Sequence, residues 1–319
     1  MANADQIKSL IKSHYSHDEH RFDTLVKQLA AYEARKGNTN LAKDLKNIAD
    51  ESRKTENNII QFSKSNDLIE FKDPKINLND MVLSENLSNK LTKIINENKN
   101  SSKLRKYGLK PNQTILLAGD PGTGKTMTAS VLAKALNMPL GIIYTDKLTT
   151  KYMGETTAKL RKVFDTIEHM NAVYLFDEFD AIGGERYRDN DVGEIRRVLN
   201  TFLQLVENVH SRSLILAATN SVTSLDKALY RRFDEILFYN KPSHDEIKQL
   251  MSKRLNNYYP EKNYDEFVEM AHGLSHSEIV TACDNLIKDC IINDLENISK
   301  EMVMQSLADR QSVYREVNS

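Results

Sequence analysis

At 319 residues the chain is long for one domain and sufficient for two or three small ones, and its 40% hydrophobic content supports real cores. The 44 basic and 45 acidic residues leave a formal net charge of -1, so there is no overall basic footprint for nucleic acid. No apolar run reaches membrane-spanning length and Met1-Ala2-Asn3-Ala4-Asp5 opens no signal peptide, so no membrane insertion and a cytoplasmic location are expected.

Residues 1–75 are polar with helical periodicity. Ile7, Leu10 and Ile11 share one face, and Phe22, Leu25, Val26, Leu29 and Tyr32 form a second stripe. Ser16-His17-Asp18-Glu19 reads as a capping box that starts the second helix. Gly37-Asn38-Thr39-Asn40 breaks the pattern, and Leu41, Leu45 and Ile48 restart it. A small helical hairpin or three-helix domain is expected, followed by a polar stretch near residues 52–58. His14, His17 and His20 straddle the cap without a nearby cysteine, which favours exposed histidines over a metal site.

From about Asn77 to Asn240 short apolar runs alternate with helical stretches. The runs are 115–118, 140–144, 173–176, 214–218 and 236–239. That alternation predicts an α/β domain over 76–240, with a parallel sheet between helices. The tail, 241–319, keeps only helical periodicity, opening with Ile247, Leu250 and Leu255, and predicts a small all-helical domain. Cys283 and Cys290 lie seven apart in a helical segment, so their Cα atoms stand about 10 Å apart, beyond disulfide reach.

The first apolar run leads directly into Gly119-Asp120-Pro121-Gly122-Thr123-Gly124-Lys125-Thr126, and a helical stretch opens at Met127. Strand, glycine loop and helix form the context that a phosphate cradle requires. Backbone N–H groups turn inward around a polyphosphate, and the helix N-terminus adds positive potential. Lys125 is expected to reach the β- and γ-phosphates of ATP, with the Thr126 hydroxyl on Mg²⁺. The third run ends in Asp177-Glu178, beside that loop in a parallel sheet. Asp177 suits the Mg²⁺ shell, and Glu178 suits a base that orients attacking water. The fourth run ends in Thr219-Asn220, whose amide can hydrogen-bond the γ-phosphate or that water. Arg231 and Arg232 precede the fifth run. Adjacent arginines there are usually solvated, yet planar, permanently charged groups at this place could reach a neighbouring subunit's γ-phosphate. Arginine fingers of this kind contribute on the order of 10³–10⁵ in rate.

Taken in order and spacing, Gly119–Thr126, Phe176-Asp177-Glu178, Thr219-Asn220 and the segment 225–233 resemble an AAA ATPase module. The style is closest to the remodelling branch that contains katanin, spastin and the ESCRT-disassembly ATPases. Over about 76–292, the resemblance implies a five-stranded parallel sheet in strand order 5-1-4-3-2, a helical lid, and a homo-oligomeric ring. That ring is a hexamer promoted by ATP, with nucleotide between subunits. It also places Met81 and Val82 along the adenine and extends the nucleotide set to Met127. Lys151-Tyr152-Met153-Gly154-Glu155 is similar to the family's pore loop, in which Tyr152 and Met153 would grip an extended polypeptide. The other reading of Tyr152 is local core. Residues 183–193, with Arg186-Tyr187-Arg188, match the second pore loop or are a solvated turn.

Three departures qualify the match. Asp120 replaces a common proline, Arg231 and Arg232 are adjacent, and Gly273-Leu274-Ser275-His276-Ser277-Glu278 puts His276 and Ser277 where the family's lid turn has Gly-Ala. No arginine lies in that turn, so no lid-borne phosphate sensor is assigned. The N-terminal helices faintly resemble the leader of small bacterial AAA ATPases that accompany subtilisin-like serine proteases. Neither Gly-x-Ser-x-Gly nor His-Glu-x-x-His occurs in the chain, so any such protease would be a separately encoded partner. The leading expectation is an ATP-hydrolysing protein remodeller or unfoldase. The alternatives are a DNA-associated motor or loader, to which Lys103-Leu104-Arg105-Lys106 lends local basic charge, and a nucleotide-gated scaffold.

Overall fold

A computed structural model describes residues 8–10, 13, 19–39, 41–45, 67–148, 153–180, 192–221 and 230–318. The chain divides into two compact units, Met1–Asp67 and Leu68–Ser319. In the first, helix α1 (Glu19–Arg35) buries Val26 and Ala30, and residues 41–45 are helical again after the break at Gly37. The expected stripe is partly visible: Leu25, Leu29 and Tyr32 are half-buried beside Val26. Residues 16–18 of the expected capping box, His17 among them, and His14 lie outside the described residues.

The second unit is built on a six-stranded sheet with order β1-β3-β4-β5-β2-β6. Its strands are β1 (Ile69–Lys72), β2 (Thr114–Gly119), β3 (Leu140–Tyr144), β4 (Val173–Asp177), β5 (Leu214–Thr219) and β6 (Glu235–Tyr239). Strands β3, β4, β5, β2 and β6 run parallel in the expected order. The sixth, β1, lies antiparallel on β3, pairing Ile69 with Ile143 and Lys72 with Leu140. Within the N-terminal region read as helical in pattern, 1–75, the structure places a strand at Ile69–Lys72. This strand buries only Ile69 fully, so its two apolar residues carry too short a period to stand out from polar neighbours.

Both faces of the sheet are covered, which is why its strands are nearly continuous apolar runs. Successive residues of β2 serve opposite faces. Leu116 and Ala118 face Leu160, Val163 and Phe164 of α6 (Met153–His169) and Phe202 of α7 (Val192–Asn208). Ile115 and Leu117 face Leu91 and Ile94 of α2 (Glu85–Lys99) and Leu132 of α4 (Lys125–Leu136). Between these come two short helices, α3 (Ser101–Lys106) and α5 (Thr145–Leu148).

After β6 the chain forms four helices with a core of their own: α8 (His244–Leu255), α9 (Asp265–Ala271), α10 (His276–Ile292) and α11 (Lys300–Asn318). Ser243 and Ser275 cap α8 and α10 in reciprocal capping boxes with Glu246 and Glu278, which explains where both helices start. Cys283 and Cys290 are buried free thiols of α10. Burial pushes the Cys283 thiol up to about 12. Among the described residues, no helix is long and apolar enough to cross a membrane.

Candidate active site

Parallel strands put the C-terminal ends of β2, β4 and β5 on one edge of the sheet, where ligands of open α/β folds collect. A cleft of about 1020 Å³ opens there, between that edge and the four-helix lid. Its floor is the loop Pro121–Thr126, with Met127 behind it. Lys125 is only 7% exposed, and its ammonium donates to the carbonyls of Gly119 and Asp120, both at 2.7 Å. Burial pulls its pKa below the ordinary lysine value, opposed by the carboxylates of Asp177, Asp120 and Asp180. Thr123 closes the loop by donating its hydroxyl to the Asp120 carbonyl at 2.7 Å.

Gly119 and Asp120, expected among the nucleotide contacts, do not line the cleft. They act through their carbonyls, and the Asp120 side chain is exposed.

Asp177 and Glu178 reach the cleft from β4. Asp177 Oδ2 accepts the Thr126 hydroxyl at 3.1 Å, bringing two hard oxygen donors together beside the lysine. This donor set fits a magnesium-bound triphosphate: Thr126 and Asp177 could hold the ion and Lys125 the phosphates. When bound, the ion would neutralise charge on the phosphoryl oxygens. Glu178 is exposed to the cleft, and its N–H donates to Asp177 Oδ1 at 3.0 Å. From β5, Asn220 also lines the wall, its backbone N–H donating to Asp180 Oδ1 at 3.2 Å.

The far wall comes from Met81 and Val82, both buried, and from the lid. Lys253 in the last turn of α8 donates to the carbonyls of Asn79 (2.6 Å) and Met81 (3.0 Å), latching the lid onto that segment. On the other side the Ser277 N–H donates to the Gly122 carbonyl at 2.9 Å. Gly122 has a left-handed backbone (φ 73°), and a side chain there would run into Ser275 Oγ at 2.7 Å, so the lid turn needs a glycine beneath it.

Sequence reasoning missed Lys253, Arg254 and His276, which all line the cleft. The two cations end a helix whose apolar stripe was legible, and nothing local distinguishes them from solvated charges. Both ring nitrogens of His276 are buried without a hydrogen-bond partner among the described residues. Burial holds its pKa below the usual histidine value, against the raising effect of Glu246.

Arg231 and Arg232 are exposed and do not line this cleft. They precede β6, whose first residue Glu235 pairs with Ile115, while the phosphate loop leaves the other end of β2 after Gly119. Four residues of strand, about 13 Å, separate the two edges. Arg232 is ion-paired with Glu207 at the end of α7. Tyr152 and residues 183–191 lie outside the described residues, and of Met153 only its place at the start of α6 is described.

Comparison with known proteins agrees with this geometry. The family described as "ATPase family associated with various cellular activities (AAA)" matches residues 115–241. An uncharacterized AAA family ATPase, y4kL, of Sinorhizobium fredii is 31% identical over 321 residues, covering 97% of this chain and 96% of that protein. The meiotic spindle formation protein mei-1 of Caenorhabditis elegans is 30% identical over 181 residues, 54% of this chain and 38% of that protein. A proteasome-activating nucleotidase of Sulfurisphaera tokodaii is 31% identical over 195 residues, 58% of this chain and 50% of that protein.

Proposed function

The chain belongs to the AAA family of ATPases, and on that premise we propose that it is a magnesium-dependent ATP hydrolase that remodels or unfolds polypeptides as an oligomeric ring. The observation that carries this reading is the separation of the hydrolytic parts. Lys125, Thr126, Asp177, Glu178 and Asn220 meet in or beside one cleft, whereas Arg231 and Arg232 sit at the opposite edge of the same sheet. The arginines precede the end of β6 that lies about 13 Å along the strand from the phosphate loop, which supports a role for them at the site of another copy rather than at their own.

In this reading Lys125 binds the β- and γ-phosphates, and Thr126 and Asp177 hold Mg²⁺. Glu178 orients and polarises water for in-line attack, with Asn220 beside it. Arginine from the neighbouring subunit stabilises the charge that develops in the transition state. Met81 and Val82 take the adenine.

A polypeptide substrate is supported by the proteasome-activating nucleotidase among the relatives and by the aromatic Tyr152, which in sequence directly precedes Met153, the first residue of α6. The same likeness supports a protease partner encoded elsewhere. Residues 1–75 would dock partners, 76–240 would bind and cleave the nucleotide, and 241–319 would form the lid.

The test is the stimulation of ATP turnover by an unstructured polypeptide such as casein. Tyr152→Ala should keep the basal rate within about twofold and lose the stimulation. A variant stimulated as strongly as wild type would remove the polypeptide from the proposal.

A further inference from the structure

Glu178 has a left-handed backbone (φ 51°), an arrangement that costs a residue with a Cβ on the order of 1 kcal/mol and persists only where neighbours enforce it. Three hydrogen bonds enforce it here. The Glu178 N–H donates to Asp177 Oδ1 at 3.0 Å, and the Phe179 N–H donates to the Ala218 carbonyl at 2.8 Å. The third is from Thr145, whose hydroxyl donates to the Glu178 carbonyl at 2.7 Å.

Strand β4 runs between β3 and β5, so the turn that ends it is held from both sides. On the β5 side the partner is backbone; on the β3 side it is the Thr145 side chain, just past the end of that strand. Thr145 is 1% exposed and does not line the cleft, so it cannot touch the nucleotide. Its effect must pass through Glu178.

We propose that Thr145 is a positioning residue for the catalytic carboxylate: its hydroxyl pins the carbonyl of the strained turn and so keeps the Glu178 side chain directed into the cleft. Without that hydroxyl the 178–179 peptide is held only from β5. It can then rotate toward an unstrained φ, which swings Cβ and the carboxylate away from the attacking water. A misplacement of this size lowers turnover without weakening the grip on the phosphates. The inference rests on the reading of Glu178 as the residue that orients water.

Steady-state ATP hydrolysis and nucleotide binding by the full chain test it. Thr145→Val replaces the hydroxyl with a methyl group of similar size, and should lower kcat about tenfold with KM and ATP affinity within about twofold. Thr145→Ser keeps the hydroxyl and should restore kcat to within about twofold of wild type. In a Glu178→Gln background, where turnover is already reduced on the order of 10²-fold or more, Thr145→Val should add no further loss. An unchanged kcat in Thr145→Val, equal losses in the Val and Ser variants, or a defect seated in KM would overturn the role of Thr145. Wild-type turnover in Glu178→Gln would instead overturn the assignment of the base, which separates the two failures.

Discussion

Gly119 and Tyr239 lie side by side in the β2–β6 ladder, and a methyl group on Gly119 would overlap the Tyr239 carbonyl oxygen. The clash is with backbone, so no rotamer change relieves it. Gly119→Ala should therefore destabilise the fold by about 1–3 kcal/mol and lower the thermal midpoint by several degrees. An alanine variant with the wild-type midpoint would mean that the two strands can part there at no cost. The sequence placed Gly119 in the phosphate cradle; the structure adds a close approach of strands there, a property that depends on which strand becomes the neighbour. Lys125, Thr126, Asp177 and Glu178 were legible because loop chemistry and strand ends fix them within a few residues of chain. Lys253, Arg254 and His276 were not, because they reach the cleft only after a separate helical bundle folds back over it.

The lid helices α8 and α10 carry the same start signal, a serine cap with a glutamate three residues on, yet their surroundings differ. Ser275 packs against Gly122 of the phosphate loop, whereas Ser243 is exposed. Ser243→Ala and Ser275→Ala should each cost about 1 kcal/mol and lower the midpoint by about 2–4 °C. Only Ser275→Ala should also weaken nucleotide binding, because its helix start is the surface seated on the loop. Calorimetric titration with ADP distinguishes the two, and equal affinities would show that the Ser277–Gly122 contact does not depend on the cap. Element boundaries followed the sequence closely where apolar runs were four or more residues long, as in β2 through β6. Strand β1 escaped because its alternation of Ile69 and Phe71 with Glu70 and Lys72 lasts only four residues, and it is the edge of β3 that gives them a reason to be extended.

For the assembly, the opposed placement of Glu178 and Arg231 makes a complementation test possible. Arg231→Ala and Glu178→Gln chains should each be nearly inactive alone. Mixed in equal amounts, they should recover turnover. In a random head-to-tail ring roughly a quarter of the seams then join an intact glutamate to an intact arginine. Wild-type specific activity should also fall on dilution, as copies separate. A mixture no more active than its parts would contradict the shared site.

The antiparallel strand β1 adds a mechanical consequence. Leu68 leads into the sheet through Ile69, which pairs with Ile143, so the segment that opens this unit enters at the edge where the phosphate loop lies, two residues from Thr145. A load hung on that segment and pulled along the strand would be borne in shear by the whole β1–β3 ladder at once. Such a pull would be felt first at β3, the strand that Thr145 follows.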